Sequence, residues 1–203
     1  MHISEGILSG PVLFSGAALA AAGTAVGLKK IDYDRLPKAG MLSASFFVAS
    51  LIHVPIGPSN VHLVLNGIVG LLLGWGAFPS ILVALALQGV FFQYGGITTL
   101  GVNTIIMALP AVICYLIACN MLNGSQPRTL AIAFCCGFFS VLMSSILVGC
   151  ALIFTQEDFL KVSVAVVLVH LPVMVIEGVV TALCVGFLKK VQPSMLPGRT
   201  KKS

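Results

Sequence analysis

The chain has 203 residues, 58% of them hydrophobic and only 8% charged, with a net charge of +5 and a mean hydropathy of +1.09. Soluble domains carry about 25% charged residues, so an ordinary water-facing surface is excluded and the chain reads as an integral membrane protein. The positive charge does not point to nucleic acid, because the basic residues lie between apolar runs and at the tail.

The opening "MHISEG" places a histidine second and an acid fifth, with no lysine or arginine before Lys29. A membrane span needs about 20 mostly apolar residues, and seven runs approach that. They are Pro11 to Leu28, Ala39 to Val54, His62 to Gly74, Ala77 to Gln93, Thr104 to Leu122, Arg128 to Phe154 and Leu160 to Leu188. The third is short, and its neighbours "GPSN" and "GWG" read as tight connections within a compact bundle. The predicted fold is all-α: one polytopic domain of seven transmembrane helices. Residues 1–10 form an N-terminal segment and residues 189–203 a basic tail.

Seven spans put the termini on opposite sides. With the N-terminus outside, ten of the eleven basic residues become cytoplasmic and only Lys161 is external, as the positive-inside rule requires. The lysines follow the first apolar run instead of preceding it, which argues against a cleaved signal peptide and for a retained Met1. The six cysteines all fall in apolar runs and form no CxxC pattern, so they read as small packing residues.

This topology brings all four histidines, His2, His53, His62 and His170, to the outer half. His53 reads as an interfacial polar residue. His170 reads as a ring hydrogen-bonded within the bundle, with Glu177, the only acid deep in a span, as the expected partner. His2 has a specific chemical use. The terminal amine, the His2 amide nitrogen and its imidazole can form adjacent five- and six-membered chelate rings in one plane. A histidine from elsewhere, best His62, would fill the fourth position. Square-planar nitrogen sites suit Ni(II) or Cu(II), and imidazole ligation is compatible with Co(II).

"MHISEG", "PIGPSNVHLVLNGIVGLLLGW", "FQYGGITTLGVNT" and "MALP" together resemble the CbiM/NikM family, the substrate-binding membrane (S) components of energy-coupling factor transporters for cobalt and nickel. The resemblance implies a seven-helix fold with the N-terminal segment folded into the bundle. It implies a metal held by the Met1 amine, the His2 amide and imidazole, and His62. His53 lies outside the motif and inherits no ligand role. Ser59, Asn60, Asn66, Gln93, Asn103 and Thr104 lie in or near the matching segments and are expected to orient the imidazole and stiffen the loop.

No Walker A loop is present, so the chain is not expected to be an enzyme or to bind ATP. The resemblance implies separate partners: a transmembrane coupling protein of the EcfT/CbiQ type, cytoplasmic ATPase subunits of the CbiO type, and a small two-span protein of the CbiN type. The loaded component would tip in a prokaryotic cell membrane and deliver its ion inward, in support of cobalamin synthesis. Ala17, Ala21 and Ala25 recur every four residues in the first span, with Ala18 and Ala22 beside them. That pattern serves either partner docking or packing within the bundle. The wording "VHLVLNG" and "LGVNT" leans towards cobalt, whereas four in-plane nitrogens favour nickel. Two readings of other classes compete: a haem-binding redox protein using His53 and His170, and a membrane enzyme using the metal as a Lewis acid.

Overall fold

The computed structural model describes residues 2–51, 53–56 and 59–197, with the side chains of residues 35, 53–56 and 59–61 excepted. Helix α1 (Gly10–Lys30) starts on Pro11, whose fixed φ and missing N–H suit a first helical turn. Helix α2 (Leu36–Ala49) follows, and then a two-stranded antiparallel hairpin, β1 (His53–Ile56) and β2 (Ser59–His62). Helices α3 (Asn66–Leu73), α4 (Ala77–Phe92), α5 (Leu100–Ala118), α6 (Gln126–Thr155), α7 (Leu160–Val169) and α8 (Leu171–Val191) complete the chain.

The helical bundle expected from hydropathy is present, and five stretches are long and apolar enough to cross a membrane: Gly10–Lys30, Asn66–Phe92, Leu100–Ala118, Gln126–Thr155 and Glu157–Val191. The departures are local and have physical causes. The run Ala39 to Val54 is not one helix: α2 ends at Ala49, and the chain turns into β1. The run from His62 is helical only from Asn66, because the polypeptide is still extended at His62. The "GPSN" segment expected as a tight connection belongs to the hairpin, in which His53 faces His62 in register. Helix α5 starts four residues before the expected Thr104, directly after the "GGITT" turn. The last run is broken at His170 into α7 and α8, since Pro172 supplies no N–H to continue the ladder.

Contacts fix the directions of the short elements. Asn66 Nδ2 donates to Met107 O (3.3 Å), and Gly70 lies against Ala111 and Gly74 against Tyr115, so α3 runs parallel to α5. After the "GWG" turn, Gly27 meets Pro79 and Ser43 Oγ donates to Ser80 O (2.9 Å), so α4 runs back towards the N-terminal end. Ser163 Oγ donates to Gly149 O (3.1 Å), and Gly137 lies against Glu177 and Thr181. The residue number on α6 falls by about as much as its partner's rises, so α7 and α8 form one path antiparallel to α6 despite the break. At Gly70 a Cβ would come within 2.2 Å of Ala111 O, so α3 and α5 pack backbone to backbone.

One end of the bundle gathers lysines. Lys30 Nζ lies 4.8 Å from the Trp75 ring centroid. Lys38 Nζ donates to Met195 O (2.7 Å) and Lys189 Nζ to Gly124 O (2.6 Å). Leu196 is buried there in an apolar cluster with Leu72, Leu122 and Val185, so the start of the basic tail packs back on the bundle. Arg199, Lys201 and Lys202 lie outside the described residues. All six cysteines are free thiols.

Candidate metal centre

At the opposite end the N-terminal segment crosses the bundle as a strap. The Asn103 side chain, in the first turn of α5, pairs with Ile3 as a neighbouring strand would: Ile3 N–H donates to Oδ1 (3.0 Å) and Nδ2 donates to Ile3 O (3.1 Å). Ile3 is buried. Further along, Thr98 N–H donates to the Glu5 carboxylate (3.1 Å) and Ser9 N–H to Thr155 Oγ1 (3.3 Å). The two glycines of "YGG" make room for this strap. Gly95 has φ +79°, a conformation glycine adopts freely, and a Cβ there would stand 2.9 Å from Asn103 Nδ2. A Cβ on Gly96 would overlap the Glu5 side chain at 1.9 Å.

Pinning Ile3 sets His2 against His62. The rings are 4.8 Å apart between centroids, and His2 Nδ1 faces His62 Nε2 at 3.1 Å. Their other nitrogens are committed. His2 Nε2–H donates to Gln88 Oε1 (2.7 Å), and His62 Nδ1–H donates to Leu63 O (2.9 Å). The Gln88 amide is itself oriented, because Nε2 donates to Ser50 Oγ and the Ser50 hydroxyl donates to Phe47 O (2.7 Å). With these tautomers and both rings neutral, the facing atoms would both present lone pairs. Two lone pairs at this separation repel unless a proton or a cation lies between them. Nitrogens at adjacent corners of a metal site with M–N distances of about 2.0–2.1 Å stand roughly 3 Å apart, whereas nitrogens across it stand about 4 Å apart.

The other sequence-selected residues divide. Asn103 acts on the strap, one residue from His2. Asn66 is buried away from the pair: Nδ2 donates to Ser144 Oγ (2.9 Å), and Oδ1 accepts from Ser140 Oγ (2.9 Å). Thr104 Oγ1 donates to Leu100 O within its own helix (2.8 Å). Gln93 is exposed, with φ +57°, at the end of α4; Gln88, one turn earlier and missed from sequence, makes the contact to His2. Ser59 and Asn60 lie on β2, and their side chains, like that of His53, lie outside the described residues, as does Met1. The expected bond between His170 and Glu177 is not made. His170 Nδ1–H donates to Val166 O (2.7 Å) in its own helix, and Glu177 Oε1 accepts from Val64 and Leu65 N–H. On α1, Gly16, Ala20 and Gly27 are buried, whereas Ala17, Ala18, Ala21, Ala22 and Ala25 are exposed.

The strap brings His2 and His62 together at one end of a helical membrane bundle, and the proteins similar to this chain are named for metal transport. The fold is similar to a solved structure described as a transition metal transporter (TM-score 0.82, 26% identity, 94% of this chain and 93% of that one). The chain is 39% identical to a Haemophilus influenzae protein named for metal transport, over 97% of each. It is 40% identical over 119 residues to a fused nickel transport protein, NikMN, of Rhodobacter capsulatus, covering 54% of this chain and 33% of that one. The model of the CbiM family, the cobalt uptake substrate-specific transmembrane region, matches residues 2–195. The chain belongs to the CbiM family, and the resemblance read from its motifs is borne out.

Proposed function

We propose that this chain is the substrate-binding component of an ATP-driven energy-coupling factor importer, with Co(II) as its cargo and Ni(II) as the alternative. The cargo ion would be held by the Met1 amine, the His2 amide and Nδ1, and His62 Nε2. The observation that carries this reading is the pair of imidazole nitrogens, His2 Nδ1 and His62 Nε2, facing each other at 3.1 Å. Each is fixed by a hydrogen bond on the far side of its ring, as metal-bound histidines generally are. Chelation through the His2 amide requires Nδ1, since only that atom closes a six-membered ring, and Gln88 leaves Nδ1 for the purpose. The nickel alternative draws support from the nickel-transport name of one relative and from the nitrogen-only donor set.

A seven-pass path, with the strap outside and the C-terminus in the cytoplasm of a prokaryotic cell, agrees with the opposed directions of α3 and α4. It agrees also with the lysines collected at the end away from the histidines. The ATPase and coupling subunits would be separate chains. The exposed alanines of α1 are the proposed face for the coupling protein, with Ala17 at its edge against Gly101 of α5, since the bundle mainly uses the opposite, glycine-bearing face of that helix.

The test is elemental analysis of the purified chain after exposure to mixed divalent ions. Wild type is expected to retain one cobalt or nickel per chain, and His62→Ala none. Equal retention by both would remove His62 from the site. A strong Soret absorption with no bound cobalt or nickel would replace the transporter reading with a haem protein.

A further inference from the structure

Glu177 is fully buried on α8, in the middle of a membrane-length path. Of its two carboxyl oxygens only Oε1 is engaged; Oε2 has no hydrogen-bond partner among the described residues. An acid at such depth is costly and calls for a function. Its partners, the N–H groups of Val64 and Leu65 (2.9 Å to the latter), lie between His62 and the first turn of α3. Leu65 itself holds φ +53°, a left-handed conformation that a leucine adopts only under constraint.

The Val64 N–H is one end of a peptide group whose other end is the Leu63 carbonyl, and that carbonyl accepts the His62 Nδ1–H (2.9 Å). The sequence of contacts is therefore carboxylate to peptide N–H, peptide C=O to imidazole N–H, and imidazole Nε2 towards His2. Carboxylates that bond directly to the N–H of metal-bound histidines orient the ring and raise its basicity. Here one peptide unit stands between them. Because a peptide bond is conjugated, a carboxylate drawing on its N–H increases the charge on its oxygen and strengthens that oxygen as an acceptor.

We propose that Glu177 is a positioning residue of His62, acting through the Leu63–Val64 peptide to fix the ring, its tautomer and its donor strength. The inference rests on His62 being a metal ligand, but part of its test does not. The full chain, labelled with ¹⁵N-histidine and metal-free, reports the His62 Nδ1–H and Nε2 resonances directly. Glu177→Gln keeps the size of the side chain and replaces the carboxyl group with an amide that cannot ionise. It is expected to move the Nδ1–H signal upfield and to weaken Co(II) binding by about 10–100-fold, the range for lost partners of metal-bound histidines. Thr181→Ala, one turn further along α8 and outside the relay, is expected to change neither. An unmoved His62 signal, or unchanged cobalt affinity in a folded E177Q chain, overturns the proposal. Should E177Q fail to fold, the unmutated protein still decides. Its Val64 amide proton is expected well downfield of the other amides, and an ordinary position counts against the relay. A His62 signal that responds to E177Q in a chain that binds no cobalt or nickel would sink the metal reading and leave the relay standing.

Discussion

The two ends of the bundle are built from different chemistry. At the strap end, neutral amides, hydroxyls and backbone groups converge: Asn103 on Ile3, Gln88 on His2, Ser50 on Gln88, the Leu63 carbonyl on His62. At the other end, charges act singly. Lys38 and Lys189 cap carbonyls, and Lys30 lies over Trp75. A converging set of hydrogen bonds holds atoms in fixed relative positions, whereas lysines set which way a membrane protein faces and tolerate imprecise geometry. The comparison teaches that the strap end depends on precise geometry, whereas the lysine end is the one that would set orientation under the positive-inside rule.

If that division is right, the strap end should respond strongly to small chemical changes. Acidification should have the largest graded effect. The α-amine has an unperturbed pKa of about 7.7–8.0 and must be deprotonated to bind a metal. Below that range, affinity is expected to fall at least about tenfold per pH unit, measured by cobalt titration in buffered detergent. Constant affinity between mildly alkaline and mildly acidic buffer would exclude the amine as a ligand. Next in size is Gln88→Leu, which removes the acceptor that holds His2 Nε2–H. It should cost about 10–100-fold in cobalt affinity, and ¹⁵N shifts of His2 should show a mixture of tautomers; a single unchanged tautomer would show that Gln88 is dispensable. The smallest effect is expected at the lysine end. Lys189→Ala gives up bonds to the Gly124 and Ser125 carbonyls and to Thr129. It should lower stability by about 1 kcal/mol in denaturant titration while leaving cobalt affinity unchanged, and a loss of affinity would mean the ends are coupled.

Much of this was legible in the sequence. Hydropathy alone gave the helical membrane bundle, and "MHISEG" with "SNVH" named the two rings that meet. The "YGG" dipeptide of glycines was part of the family motif, but its reason, clearance for Glu5 and Asn103, needed coordinates. Hydropathy misplaces the helix boundaries around His62 and His170, because apolar residues in an extended hairpin or beside a proline look the same to it as residues in a helix. Gln93 lies inside the motif, whereas Gln88, which meets His2, lies outside it. The better signal was Gln88's isolation in "ILVALALQGVFF", where a lone amide in an apolar helix must have a partner. Glu177 was conspicuous for the same reason, yet its partner was assigned to a side chain. Sequence cannot reveal a bond to the backbone amides of a distant loop.

The measurement that bears most directly on the proposed metal centre is the cobalt content of the purified chain with and without one extra residue ahead of Met1. The extension alters neither the His2 nor the His62 side chain but moves the amine away from the His2 amide. One ion per native chain and none per extended chain is the expected result; equal loading of both would contradict coordination by the terminal amine.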